Sequence, residues 1–284
     1  MSAEALRALA GPCRLCPRRC GALRDRGETG FCKMPLEPVV SCAGPHFGEE
    51  PVLVGEGGSG TIFLAGCNLL CLFCQNYDIS HERRGERTSP GRMARVMLKL
   101  QEIGCANVNF VTPTHFAHAV AEAIELARGA DLSIPVVYNC GGFESVEAIE
   151  ALEGLVDIYM PDVKTLDAGW AQAALQAISY PEAVKAAVIR MQRQVGDLEI
   201  SEDGIAKRGL LVRHLVMPGM AEDGKAVVDF LADEVSPRAF VNVMGQYRPR
   251  HRAGTIPGCG VPPTAGEIGA LKEYAARRGL RLSD

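Results

Sequence analysis

From residue 60 onward, short apolar runs recur along this chain, each followed by a polar or glycine-rich loop. Runs of this length without polar alternation are typical of parallel strands buried on both faces. Six such strands are predicted, at residues 61–65, 107–111, 135–139, 157–160, 210–216 and 239–243. Amphipathic segments follow most of them, so the pattern predicts an α/β fold, a partial (β/α)6 TIM-like barrel.

Helical periodicity predicts helices near residues 92–103, 116–128, 145–152, 223–234 and 265–278. Ser89 is the expected N-cap of the first, with Pro90 at the first helical position, where its missing N–H is tolerated. An insertion at residues 165–209 separates the fourth and fifth strands. It carries a predicted helix near residues 181–195 and a polar turn at residues 201–204.

We divide the chain into a small N-terminal cysteine-rich segment, residues 1–50, and a barrel, residues 51–284. The net charge of −4 gives no electrostatic reason to expect a nucleic acid or an anionic membrane as partner. The first residues lack an apolar core of signal-peptide length, and the apolar run at residues 61–74 is too short to span a bilayer. A cytoplasmic protein is expected.

Eleven cysteines are unusual for a chain in a reducing compartment, and eight of them precede residue 75. Disulfides are rare there, so clustered cysteines indicate metal binding or catalysis. Cys67, Cys71 and Cys74 have Cys-x3-Cys-x2-Cys spacing in the loop after the first strand, at the end where β/α barrels place their active sites. Three thiolates hold a [4Fe–4S] cluster with one iron open, whereas structural zinc requires a fourth ligand, for which His81 is nearest.

At these residues the chain resembles the radical SAM superfamily, which has this spacing and an aromatic residue before the third cysteine, here Phe73. The resemblance implies that S-adenosylmethionine (SAM) binds the open iron and is reductively cleaved to a 5′-deoxyadenosyl radical, which abstracts a substrate hydrogen. Residues 74–80 and 213–219, with the N-terminal cysteines, more closely resemble uncharacterised homologues of pyruvate formate-lyase activating enzyme.

This closer resemblance implies which residues contact SAM. Such enzymes end the second strand with a Gly-Gly-Glu type motif, whereas this chain has Thr-Pro-Thr-His at residues 112–115, so Thr112 and Thr114 are expected to supply those contacts. The other expected SAM contacts are Asn139, Gly141, Asp162, Lys164 and Arg213. For each of these residues, a surface or capping role is the alternative.

Cys13, Cys16, Cys20 and Cys32 form a second group before the barrel, with several arginines among them. A structural zinc ion and an auxiliary [4Fe–4S] cluster both fit four thiolates, and the sequence does not separate them. Activating enzymes with extra clusters carry them in an insertion after the SAM motif, so this position departs from the family.

His115, at a strand end, and Tyr247, after the sixth strand, are the catalytic candidates. The first hypothesis is an activase-like enzyme that installs a glycyl radical on a partner or modifies another protein. It requires an electron donor such as flavodoxin or ferredoxin. A stand-alone radical SAM enzyme acting on a small molecule is the second hypothesis. The third is an iron–sulfur electron carrier without catalytic activity.

Overall fold

A computed structural model describes residues 3–283 as a mixed α/β structure built on one large sheet. Across the sheet the strand order is β10-β9-β8-β6-β5-β4-β2-β1-β3, and β7 pairs with β8. The strands are β1 (Val39–His46), β2 (Ser59–Leu64), β3 (Glu86–Arg87), β4 (Val108–Val111), β5 (Val136–Cys140), β6 (Ile158–Pro161), β7 (Glu199–Ile200), β8 (Ala206–Leu215), β9 (Phe240–Met244) and β10 (Arg281–Leu282).

The six predicted strands are confirmed as β2, β4, β5, β6, β8 and β9, and they run parallel and adjacent in chain order. Most of their residues are buried, which explains why polar residues do not alternate along them. The sheet does not close on itself, since β3 and β10 are its two edges. The predicted partial barrel is therefore confirmed.

Ten α-helices accompany this sheet among residues 3–283. They are α1 (Ala3–Ala10), α2 (Pro51–Val54), α3 (Tyr77–Ser80), α4 (Pro90–Glu102), α5 (Ala117–Arg128), α6 (Val146–Ala151), α7 (Ala168–Leu175), α8 (Tyr180–Val195), α9 (Ala221–Phe230) and α10 (Ala265–Arg277). Every predicted helix is confirmed, and the Ser89 hydroxyl caps α4 by accepting a bond from the Arg92 N–H at 3.3 Å. Four helices were not predicted from the sequence: α1 and α7, with eight residues each, and α2 and α3, whose four residues are too few for a repeating helical pattern.

The sheet extends into the segment assigned to residues 1–50. There β1 pairs antiparallel with β2, from Val40 opposite Leu64 to His46 opposite Ser59. It is a half-exposed strand near the sheet edge that contains Pro45, so its sequence resembles a loop rather than a buried strand.

A short plug, residues 49–54, fills the inside of the open barrel. Leu53 is fully buried there among side chains of β5, β6, β8 and β9. Glu50 accepts a hydrogen bond from the Asn242 side chain at 3.0 Å. The plug thus joins the start of the sheet to its sixth parallel strand.

None of the helices described between residues 3 and 283 is long and apolar enough to cross a lipid bilayer.

Candidate functional site

A cavity of about 310 Å³ lies where the carboxyl ends of the parallel strands meet. This volume is at the lower end of the range for small-molecule pockets, roughly 300–1,000 Å³. The cavity brings together most of the predicted site residues, namely Cys67, Cys71, Phe73, Cys74, Thr112, Asn139, Gly141, Asp162, Lys164 and Arg213.

The loop of residues 67–74 forms one wall of this cavity. All three of its cysteines are free thiols, with Cys71 buried and Cys67 and Cys74 half-buried. Burial raises the pKa of the Cys67 and Cys71 thiols, and the Lys164 ammonium opposes that shift. Three unpaired thiols facing one cavity, with a cation beside them, suit an iron–sulfur cluster, which is anionic and bound by thiolates.

Also at the cavity wall, Asp162 holds two cations. Its carboxylate accepts bonds from the Lys164 ammonium at 2.6 Å and from Arg213 Nε at 2.8 Å. Burial opposes ionisation of Asp162, but Arg213 and Lys164 outweigh it and lower the pKa of this carboxyl. Burial opposes the charges of Lys164 and Arg213, but the nearby anionic groups, Asp162 foremost, together outweigh it and raise the pKa of both. All three groups are therefore charged, and they leave one net positive charge at the cavity.

Arg213 also donates to the Asn139 side-chain oxygen at 2.7 Å, and its Nη1 lies 3.7 Å from Glu49 Oε2. Burial raises the pKa of Glu49, and Arg213 partly opposes that shift. Sequence analysis did not select Glu49. It lies outside the predicted strands and their loops, and no motif marks it.

Two backbone features shape the cavity. Thr112 has φ = 59°, a left-handed conformation that is uncommon for a β-branched residue and is a known form of strain at functional sites. Gly142 has φ = 76°, and a Cβ there would meet the Asp162 carbonyl oxygen at 2.4 Å. Only glycine allows the loop after β5 to approach the loop after β6 so closely.

Three of the residues predicted to contact SAM or to act in catalysis do not line the cavity. Thr114 is fully buried and donates to Glu144 Oε1 at 2.6 Å. His115 is buried with Nε2 2.8 Å from the Ala65 carbonyl oxygen, and burial lowers its pKa to about 3. Tyr247 is fully buried and donates to the Cys259 carbonyl oxygen at 2.7 Å. These contacts favour packing roles, while the catalytic roles of His115 and Tyr247 stay untested predictions.

Phe73 does line the cavity, and it lies in an aromatic cluster. Its ring centroid is 5.5 Å from that of Trp170 and 6.1 Å from that of Tyr247. Tyr247 therefore supports the cysteine loop from behind, through Phe73.

The N-terminal cysteines lie beside this loop. Cys13, Cys16 and Cys32 are buried and Cys20 is exposed, all as free thiols. Burial raises the pKa of Cys16 to about 12, and nearby Cys13 and Cys32 add to the shift. Within residues 3–283, no three His, Cys, Asp or Glu side chains converge on a single ion-sized position, and this holds for both cysteine groups. The metal at the N-terminal group, zinc or a second cluster, stays a prediction.

Comparison with known proteins adds three findings. Residues 61–231 match the model of the Radical SAM superfamily. An uncharacterised protein of Methanocaldococcus jannaschii is 32% identical over 278 residues, which cover 95% of this chain and 76% of that protein. Two crystal structures of Streptococcus suis SuiB share the fold at low identity. The one bound to S-adenosylmethionine has a TM-score of 0.51 at 12% identity and covers 76% of this chain and 47% of that chain.

The other SuiB structure, bound to its precursor peptide SuiA, has a TM-score of 0.52 at 11% identity and covers 77% of this chain and 47% of that chain. The chain thus spans about half the length of these solved structures. At such identities the likeness concerns the fold alone.

Proposed function

Since this chain belongs to the radical SAM superfamily, and is therefore a radical SAM enzyme with a [4Fe–4S] cluster and SAM as cofactors, we propose that it is an activase-like enzyme. It acts on a protein, either by placing a glycyl radical on a partner enzyme or by another modification. The observation that carries the chemistry is the cavity that joins three free cysteines to two half-buried cations.

In this proposal Cys67, Cys71 and Cys74 hold the cluster. When bound, the cluster and SAM together supply a 5′-deoxyadenosyl radical for hydrogen abstraction. Lys164 and Arg213 line the same cavity and supply positive charge to the SAM carboxylate. Asp162 fixes both cations in place, because its carboxylate bonds to each of them.

The amino group of SAM is on the same carbon as its carboxylate, and it requires hydrogen-bond acceptors. Thr112, at the position of the family's usual Gly-Gly-Glu motif, and Asn139, at the end of the next strand, line the cavity and offer oxygen acceptors. Gly141 lets the cysteine loop approach this wall, since a Cβ there would meet the Leu69 side chain at 3.0 Å. Phe73 and its aromatic neighbours exclude water from the cysteine side.

The decisive test is SAM cleavage by the anaerobically reconstituted chain with dithionite as reductant. We expect 5′-deoxyadenosine, and none from a variant with Cys67, Cys71 and Cys74 changed to Ala. An intact cluster with no 5′-deoxyadenosine would refute the radical reaction and favour an electron carrier. A glycine-centred EPR doublet on a partner protein supports the activase role, whereas product formed from a small molecule without a partner supports the stand-alone alternative.

The N-terminal cysteines are proposed to hold a second metal, and the same triple variant identifies it. About four irons left per chain would indicate an auxiliary cluster, and zinc would indicate a structural site.

The electron donor is proposed to be a small acidic carrier, flavodoxin or ferredoxin, that approaches near Cys74. Cys74 Sγ lies 3.2 Å from Ser80 Oγ, which lies 2.9 Å from His81 Nδ1. The His81 ring centroid is 4.4 Å from that of His251, which is exposed. Around His251, residues 245–266 contain no Asp or Glu and carry three exposed arginines, Arg248, Arg250 and Arg252. This basic surface complements an acidic donor.

A further inference from the structure

Arg18 connects the two cysteine groups. It lies between Cys16 and Cys20, and its side chain reaches the loop that carries Cys67 and Cys71. Its Nε donates to the Asn68 carbonyl oxygen at 3.0 Å. The guanidinium therefore bonds to the backbone of the cysteine loop one residue after Cys67.

The same guanidinium also holds the end of α7. It donates to the Leu175 carbonyl oxygen at 3.3 Å and to the carbonyl oxygen of Gln176. Gln176 in turn donates from its side chain to the Leu70 carbonyl oxygen at 3.2 Å. Two carbonyl groups of the cysteine loop thus depend on Arg18, one directly and one through Gln176. A lysine lacks the planar guanidinium group with which Arg18 donates to three separate carbonyl oxygens.

Aromatic contacts fix the plane of this guanidinium. Its central carbon lies 3.7 Å from the centroid of the Phe31 ring and 5.3 Å from that of Phe143. Phe143 also accepts a bond at its carbonyl oxygen from the Asn68 side chain, at 2.7 Å. Arg18 therefore holds the backbone of Asn68. Phe143, whose ring contacts the same guanidinium, holds the Asn68 side chain.

Both members of the Arg18–Phe31 pair lie within two residues of an N-terminal cysteine. Arg18 is flanked by Cys16 and Cys20, and Phe31 immediately precedes Cys32. The polypeptide between α1 and β1 has only a three-residue 3-10 helix as regular structure, so side-chain bonds and any bound metal must hold its shape. A metal bound by these cysteines would fix both sides of the pair.

We propose that Arg18 is a positioning residue that transmits the state of the N-terminal cysteine site to the loop that holds the SAM-binding cluster. This rests on the proposed function, since it takes Cys67, Cys71 and Cys74 as the cluster ligands. Occupancy of the N-terminal site holds Arg18 on Phe31, and Arg18 then holds Asn68 and the loop in the geometry that binds SAM. Loss of the N-terminal metal releases both contacts.

The test compares Arg18→Gln with the unmodified chain, both reconstituted anaerobically at full length. SAM affinity is measured by equilibrium dialysis, and the reduced cluster by its EPR line shape and midpoint potential. We expect SAM to bind roughly tenfold more weakly and the EPR line shape to change. The control is Arg14→Gln, because Arg14 is an exposed arginine between Cys13 and Leu15, with no side-chain hydrogen bond among the described residues. It is expected to leave both readouts unchanged.

Coupling is then tested by changing Cys13 and Cys32 to Ser in each background. If Arg18 transmits the state of the site, these changes weaken SAM binding in the unmodified chain and add nothing in the Arg18→Gln chain. Independent, additive losses would overturn the proposal, as would an Arg18→Gln chain that matches the Arg14→Gln control.

If Arg18→Gln does not fold, the Arg18→Lys variant tests the proposal with the same two measurements. It keeps the positive charge and loses the planar guanidinium that bonds several carbonyl oxygens. The EPR measurements do not depend on SAM cleavage. A chain whose cluster responds to Arg18 but forms no 5′-deoxyadenosine would therefore contradict the proposed function and leave the role of Arg18 standing.

Discussion

Glu144 provides a sharp test of the packing behind the cavity. The residue is 1% exposed, and its carboxylate accepts bonds from the Thr114 hydroxyl at 2.6 Å and the Tyr138 hydroxyl at 3.2 Å. Burial raises its pKa from 4.5 to about 7, although both hydroxyls oppose the shift. Below pH 4.5 the carboxyl is neutral in both the folded and unfolded chains.

Between pH 4.5 and 7 the folded chain binds more protons than the unfolded chain, so the free energy of unfolding falls as pH rises. With about 1.4 kcal/mol for each pKa unit, the loss is about 3 kcal/mol once pH exceeds 7. Changing Glu144 to Gln removes the titration. The stability of the variant relative to the unmodified chain should therefore increase by about 2.5 kcal/mol from pH 5 to pH 8.

The measurement is anaerobic urea unfolding, followed by the fluorescence of the single tryptophan, at several pH values. Taking the difference between the two chains cancels the titration of all other groups. The control is Glu122→Gln, an exposed position on α5, where the difference should stay within about 0.5 kcal/mol. If the free energies of unfolding of the unmodified and Glu144→Gln chains change with pH in parallel, the Glu144 carboxyl does not titrate as its burial requires.

Three further predictions follow from single contacts. Asp162→Asn leaves two cations without their shared carboxylate in a mostly buried site. It should lower the free energy of unfolding, measured by urea titration, by about 3–5 kcal/mol, and a loss below about 1 kcal/mol would contradict the ion pairing. Gly66→Ala places a Cβ 2.4 Å from Met34 Cγ, on a residue with φ = 80°, and should lower the melting temperature. The control, Gly91→Ala, has nothing within 4 Å of its Cβ and should not, so equal effects would contradict the close approach of Met34 to Gly66. Charge reversal at Arg250 and Arg252 should slow reduction of the cluster by flavodoxin or ferredoxin at low salt and leave dithionite-driven SAM cleavage unchanged. An equal loss of SAM cleavage with dithionite would place this surface in the active site rather than at a donor site.

The strands could be predicted because burial on both faces leaves an apolar signature in the sequence itself. The amphipathic helices and the Ser89 cap were predictable for the same reason, since one-sided burial and capping each restrict residue type locally. The plug could not be predicted, because its four-residue helix has no period and its bonds to Arg213 and Asn242 join distant parts of the chain.

Within the cavity, Cys67 was predictable from motif spacing, Lys164 from its position after a strand, and Arg213 from the resemblance of residues 213–219 to a known family. A strand end alone does not show which way a side chain points. His115 follows β4 closely, yet its ring lies against the Ala65 carbonyl, outside the cavity lining. That direction is set by the helical turn at residues 114–116, which polar residues after a strand do not reveal.

The plug also affects the order in which the protein is completed during synthesis. Its two acidic residues bond to Arg213 and Asn242, and the second of these bonds spans 192 residues. At roughly 5–20 residues per second, the ribosome needs on the order of 10–40 seconds after the plug emerges to make its last partner. Until then Leu53 and Glu50 lack the strands that bury them, so this part of the core stays exposed on the nascent chain until β9 has been made.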